Sequence, residues 1–186
     1  EPPPLISKRL GGLVTAVAEL ADKRLVMIMD VEKVLADAGG FYDETVFEGI
    51  DKLDNAKQFK VLFADDSAVA RKQVAQTLDR LGVNHVSVIN GAEAWKMLDK
   101  LASKCEQEGR KLSSEISVVL TDVEMPEMDG YVLTQKIKAD PRMAGLPVIM
   151  HSSLTAVANQ AMGRGIGSDA YVSKFQPHEL ATTLKQ

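Results

Sequence analysis

The sequence predicts an α/β protein built on a doubly wound, five-stranded parallel sheet that is preceded by a smaller β-rich segment. From about residue 59 onward, short apolar runs alternate five times with segments whose apolar residues recur at helical spacing. This alternation is typical of parallel strands joined by crossover helices. The first 58 residues lack that alternation, so we expect them to form a separate unit.

The five predicted strands are short apolar runs. They cover residues 60–64, 86–89, 116–121, 146–151 and 170–173. Three helix boundaries also have clear signals. Gly82 is predicted to end the first helix, Asp129 to cap the N-terminus of the third, and Pro177 to lie in the first turn of the last.

The front of the chain reads as a β-hairpin. Apolar runs at residues 13–20 and 25–30 flank a polar turn, and Asp30 is positioned to cap a helix over residues 31–38. A hairpin with one helix is too small to bury a complete core. We therefore divide the chain into a partial domain (1–40), a polar and acidic linker (41–58) and an α/β domain (59–186).

Charge and composition exclude several classes of function. The net charge of −4 comes from residues 1–58, and no basic stripe is present, so we expect no binding of nucleic acid. No apolar run reaches the roughly 18 residues of a membrane helix, and no signal peptide opens the chain. The single Cys105 suits a reducing compartment. We expect a cytoplasmic protein that binds other proteins.

Polar side chains with complementary chemistry follow four of the predicted strands. They are Asp65, Asp66, Asp122, Ser152 and Lys174. Because the carboxyl ends of parallel strands open onto one edge of the sheet, these residues should converge there. Carboxylate oxygens suit Mg²⁺, and a cation relieves the repulsion between them. Taken singly, each residue also has an ordinary explanation, such as a helix cap at Asp65 and Asp66.

This set of residues predicts chemistry on phosphorus. Asp122 is the candidate nucleophile, Lys174 the candidate partner of phosphoryl oxygens, and Ser152 a candidate hydrogen-bond donor. Two alternatives stay open: a Mg²⁺-dependent phosphatase of the haloacid-dehalogenase type, and a binding module that is never phosphorylated. The phosphatase is expected to carry Asp-x-Asp after its first strand and a cap domain, whereas this chain has adjacent Asp65 and Asp66.

The α/β segment, residues 59–186, resembles a receiver domain of two-component signalling. The resemblance rests on Ala64-Asp65-Asp66-Ser67, on Ser152-Ser153, on Tyr171-Val172-Ser173-Lys174 and above all on Asp122-Val-Glu-Met-Pro-Glu-Met-Asp-Gly130. It implies a phosphoacceptor signalling domain rather than an enzyme, in which Asp122 takes a phosphoryl group from a histidine kinase.

The same resemblance implies the roles of the other site residues. Asp66, Asp122 and the backbone carbonyl of Glu124 would bind Mg²⁺, and Asp65 would act through water. Ser152 and Tyr171 match the pair of residues that shift on phosphorylation. One departure is that Phe175 stands where the family usually has a proline in a cis peptide after the lysine.

The front segment resembles the end of a CheW-like coupling domain, through residues 25–35. A coupling domain followed by a receiver is the arrangement of CheV-type proteins of bacterial chemotaxis. The resemblance implies a chemotaxis histidine kinase as phosphodonor and a chemoreceptor–kinase assembly as binding partner. Phosphorylation would then modulate coupling or drain phosphoryl groups from the kinase.

Overall fold

A computed structural model describes residues 14–29, 34, 44–153 and 165–186. The chain divides into two compact units, Glu1–Val46 and Phe47–Gln186. Of the helix predicted over residues 31–38, only Val34 is described, and it is helical; its predicted cap, Asp30, lies outside the described residues.

The first unit contains an antiparallel hairpin, as predicted. Strand β1 is Val14–Glu19 and strand β2 is Leu25–Met29. Asp22 closes the turn by accepting hydrogen bonds from the backbone and the guanidinium of Arg24. Every side chain of β2 is exposed, although all five are apolar.

The second unit is built on one sheet of five parallel strands, which confirms the predicted fold class. The strands are β3 (Lys60–Ala64), β4 (Asn84–Val88), β5 (Val118–Asp122), β6 (Val148–Ser152) and β7 (Ala170–Ser173). Their order across the sheet is β4-β3-β5-β6-β7. After β3 the chain adds β4 on one side of it, and then β5 on the other side. Ligands bind at this change of strand order in sheets of this type.

In the part of the chain that the structure describes, the helices with full bounds that cover the sheet are α1 (Ala68–Leu81), α2 (Gly91–Gln107), α3 (Gly130–Ala139) and α4 (Pro177–Leu184). The predicted boundaries at Gly82, Asp129 and Pro177 are confirmed. Gly82 adopts the left-handed conformation, and the Asp129 carboxylate accepts the Val132 N–H at 2.7 Å. Every helix in the described ranges lacks the combination of length and apolar character needed to cross a membrane.

Side chains along each central strand point alternately into two buried layers, one on each face of the sheet. Burial on both faces explains the continuous apolar character of these strands. On one face Leu62 and Val119 pack with α2 and α3; on the other Phe63 and Leu120 pack with α1 and α4. These buried layers hold the strand ends in fixed positions, and the polar residues of the site lie at those ends.

Some strand boundaries differ from the predicted ones. The strands β5 and β6 begin at Val118 and Val148, two residues later than predicted, although Ile116 and Leu146 are buried. The N–H groups of Ile116 and Leu146 bond within the preceding turns rather than in the sheet. Apolar character reports burial, not membership of the hydrogen-bonded ladder. At their other ends both strands run one residue further than predicted, so that Asp122 and Ser152 are the last residues of β5 and β6.

Gly130 allows α3 to begin directly against the end of β5. A Cβ at this position would lie 2.0 Å from the carbonyl oxygen of Asp122 and 3.0 Å from its carbonyl carbon. Real contacts of this kind are not tolerated without movement of the backbone. The last glycine of the Asp122–Gly130 motif is therefore a packing requirement of the site.

We expect Gly130→Ala to lower the free energy of unfolding by about 1–3 kcal/mol, because the added methyl group forces β5 and α3 apart. Thermal or urea denaturation measures the change. Gly145→Ala is the matched control, since a Cβ there meets no atom within 4 Å. Equal stability of the two variants would contradict the packing argument.

Candidate functional site

Asp65 and Asp66 follow directly after β3. The backbone N–H of Asp65 continues the sheet by donating to the Val88 carbonyl at 3.2 Å. Its Oδ1 accepts the N–H of Ser67 at 2.9 Å, and Arg71 donates to its carbonyl oxygen at 2.7 Å. Asp65 is therefore buried and fixed, whereas Asp66 is exposed at the surface.

Asp122 ends β5 and is buried, with 4% of its surface exposed. Its Oδ1 accepts the N–H of Val123 at 2.7 Å, and the hydroxyl of Thr121 donates to its carbonyl oxygen at 3.0 Å. The Val123 bond holds Oδ1, and Oδ2 is the oxygen that pairs with the Lys174 ammonium from the end of another strand.

Lys174 follows β7 and extends its ammonium group between two carboxylates. Nζ lies 3.0 Å from Asp122 Oδ2 and 3.2 Å from Asp65 Oδ2. The side chain is buried, so both ion pairs are shielded from water. The backbone N–H of Lys174 donates to the Ser152 carbonyl at 2.9 Å, which ties the lysine loop to the end of β6.

The environment of Asp122 changes its acidity strongly. Burial of the carboxyl group, together with the negative charge of Asp65, raises the pKa of Asp122 to about 7, although Lys174 opposes the rise. A cation or another charged group that binds nearby will therefore change the fraction of Asp122 that is ionised near neutral pH.

Three carboxylates meet at this edge of the sheet. One oxygen each from Asp65, Asp66 and Asp122 lies within 4.8 Å of the other two. Oxygen ligands on one exposed and two buried carboxylates fit Mg²⁺, which uses few protein ligands and keeps several waters. An acidic cluster of this kind is typical of a receiver Mg²⁺ site, and the donor set fits the ion.

The remaining predicted residues lie in β6 and β7 or just after β5. Ser152 ends β6 and is buried; it is the register partner of Ser173 in β7. Tyr171 lies within β7 and is half-buried. Glu124 is exposed two residues after Asp122. Coordination by the Glu124 carbonyl, and the switching roles of Ser152 and Tyr171, stay predictions.

The structure also answers the question raised by Phe175. The Lys174–Phe175 peptide is trans, and Phe175 has a φ of 62°, in the left-handed region. That conformation is uncommon for a bulky residue and costs on the order of 1 kcal/mol or more. Even so, the ammonium of Lys174 reaches Asp122.

His151 is a site residue that the sequence reasoning missed. It is buried in β6 as the register partner of Asp122, and its Nδ1 lies 3.9 Å from Asp65 Oδ2. As one of three scattered histidines it gave no metal-binding pattern. Its position next to Ser152, at the end of a predicted strand, was the available signal.

The fold and the site together define a class of protein: a parallel α/β domain with an acidic pocket and a buried lysine at the carboxyl edge of its sheet. The model of the response regulator receiver domain matches residues 61–185. The chain belongs to this family. Such a domain is a phosphoacceptor signalling module rather than an enzyme.

Comparison with individual proteins agrees with this assignment. The chain is 31% identical to chemotaxis protein CheV1 of Helicobacter pylori over 166 residues, which cover 89% of this chain and 49% of that protein. It is 33% identical to chemotaxis protein CheY1 of Helicobacter pylori strain J99 over 128 residues, 68% of this chain and 94% of that protein. The chain thus spans about half the length of the CheV relatives it matches.

A solved structure gives independent support for the fold. The receiver domain of the histidine kinase CKI1 from Arabidopsis thaliana, in complex with Mg²⁺ and BeF₃⁻, superposes with a TM-score of 0.63 at 24% identity. The superposition covers 71% of this chain and 91% of that domain.

We expect the stability of the protein without Mg²⁺ to fall as the pH rises from about 4 to about 7. The pKa of Asp122 is about 7 in the folded protein and about 3.9 when unfolded, so over this range only the folded state keeps the proton. The stability that this proton confers is lost as the pH passes through the folded-state pKa. The loss is on the order of 4 kcal/mol.

Urea denaturation in EDTA at several pH values, with Asp122→Asn as reference, measures this effect. The variant lacks the titrating group, so its stability relative to the wild type should increase between about pH 4 and about pH 7. A difference independent of pH would show that the pKa of Asp122 is not raised.

Proposed function

We propose that the chain is the phosphoacceptor part of a bacterial chemotaxis protein and that Asp122 takes a phosphoryl group from a histidine kinase. The observation that carries this proposal is the buried ammonium of Lys174, held 3.0 Å from Asp122 Oδ2 beside three clustered carboxylates. Such an ammonium is placed to pair with oxygens of a phosphoryl group on Asp122.

The reaction follows from this arrangement. Asp122 Oδ2 attacks phosphorus, an O–P bond forms, and the bond from phosphorus to the kinase histidine nitrogen breaks. The electron pair of the broken bond stays on the histidine, and the product is an aspartyl phosphate. Asp122 must lose its proton before it attacks, so its raised pKa makes a nearby cation important.

The neighbouring residues have distinct roles in the proposal. Asp66, Asp122 and the Glu124 carbonyl would hold Mg²⁺, and Asp65 would act through water. The ion, when bound, supplies positive charge that lowers repulsion between the carboxylates and the phosphoryl group. Lys174 pairs with a phosphoryl oxygen, and the Ser152 hydroxyl donates a hydrogen bond to another. Ser152 and Tyr171 then change position and alter the adjoining surface for partners.

The likeness to CheV1 supports a chemotaxis role. In this proposal residues 1–40 are the end of a CheW-like coupling domain, 41–58 are a linker, and 59–186 are the receiver. The phosphodonor is a chemotaxis histidine kinase, and the coupling domain binds the chemoreceptor–kinase assembly. Phosphorylation modulates that coupling or removes phosphoryl groups from the kinase.

We expect incubation with a small phosphodonor such as acetyl phosphate and Mg²⁺ to add one phosphoryl group to the chain. Intact-mass spectrometry detects the product. EDTA and Asp122→Asn should each abolish it, whereas Asp79→Asn should not, because Asp79 is an exposed residue of α1 outside the pocket. A folded wild-type protein that acquires no phosphoryl group would contradict the proposal; turnover of an external phosphomonoester would favour the phosphatase alternative instead.

We also expect Mg²⁺ to raise the melting temperature of the protein, because an ion that binds only the folded state stabilises it. Asp66→Asn removes a carboxylate of the cluster and should abolish most of the rise. Exposed Asp79→Asn is again the matched control. An undiminished response in Asp66→Asn would remove Asp66 from the ligand set.

A further inference from the structure

The two oxygens of the Asp65 carboxylate have unequal environments. Oδ1 accepts a hydrogen bond from the Ser67 N–H at 2.9 Å. Oδ2 is buried and has no hydrogen-bond partner in the described part of the chain. Lys174 Nζ is 3.2 Å away, which is close enough for an ion pair, but the ammonium lacks hydrogen-bond geometry toward this oxygen. Oδ2 therefore depends on a cation that it shares with Asp122.

Phosphorylation changes this shared arrangement. A phosphoryl group on Asp122 adds negative charge and several acceptor oxygens next to the Lys174 ammonium. The ammonium moves toward the greater charge, and Asp65 Oδ2 is left buried without its ion pair. A buried charged group that loses its ion pair is strongly unfavourable, so Oδ2 gains from a protein donor in addition to the metal-bound water proposed for Asp65.

His151 is the donor within reach. Its ring is buried in β6, on the strand next to Asp122, and Nδ1 lies 3.9 Å from Asp65 Oδ2. This distance is about 1 Å longer than a hydrogen bond. The ring has to move by about 1 Å to form the bond.

We infer that His151 is a positioning residue which donates its Nδ1–H to Asp65 Oδ2 when Lys174 turns to phosphorylated Asp122; this inference rests on the proposed function. The hydrogen bond requires the imidazole tautomer with the proton on Nδ1. It keeps Asp65 in place beside the metal and the phosphoryl group, so that the pocket retains its geometry while the lysine changes partner.

Isotope-edited NMR of the histidine rings tests the geometry, because it distinguishes the two tautomers and reports hydrogen bonding of the ring N–H. The chain has only three histidines, and His85→Gln and His178→Gln assign the other two. After phosphorylation we expect a protonated Nδ1 on His151 with a downfield-shifted proton. A bare Nδ1, or an unchanged Nδ1–H, would overturn the inference.

A second comparison needs no phosphorylation. In Asp122→Ala, the Lys174 ammonium keeps its ion pair with Asp65 but has lost Asp122 as a partner. The double variant Asp122→Ala/Lys174→Met removes the ammonium as well. We expect the downfield Nδ1–H in the double variant and not in the single one. Its absence from the folded double variant overturns the inference whether or not the wild type accepts phosphate. Failure of the wild type to form the adduct, by contrast, counts against the proposed function.

Kinetics test the role itself. His151→Leu fills the buried position with an apolar side chain that has no donor. We expect the rate of phosphorylation or of dephosphorylation to change about tenfold from that of the wild type. In His151→Asn the amide nitrogen replaces Nδ1 as donor, so the rates should stay within about twofold. Melting temperatures without Mg²⁺ report the purely structural effect. If both variants change only in melting temperature, His151 is a packing residue and the inference is wrong.

Discussion

The ion pairs of Lys174 with Asp65 and Asp122 are the interaction on which the rest of the site depends. One ammonium group serves two buried carboxylates, at 3.2 and 3.0 Å. Without it, two negative charges would face each other away from water, where like charges repel strongly. The three residues come from the ends of β3, β5 and β7, so these ion pairs connect the ends of three strands.

The charges in this pocket are not fully neutralised. One cation does not fully offset two buried carboxylates, and the pKa of Asp122 is raised to about 7. Any added charge therefore changes the most favourable position of the ammonium. The two buried layers of the sheet remain rigid beneath it.

Much of the fold was predictable from local patterns. The strands are apolar because both faces of the sheet are covered, and helix ends carry capping residues, such as Asp129 and Gly82, whose chemistry acts within a few positions of the chain. The boundaries of β5 and β6 were wrong by two residues at their starts, since Ile116 and Leu146 are buried in turns. Hydrophobicity does not record where the backbone forms its hydrogen bonds.

The sequence by itself determined the class of fold and the kinds of side chain at the sheet edge, because strand periodicity and the Asp122–Gly130 motif are local properties. Only the tertiary structure decided that Lys174 bridges two carboxylates, that it does so beside a trans peptide, and that His151 faces Asp65. Distances between residues far apart in the chain, and the burial that shifts the pKa of Asp122, exist only after the strands have packed side by side.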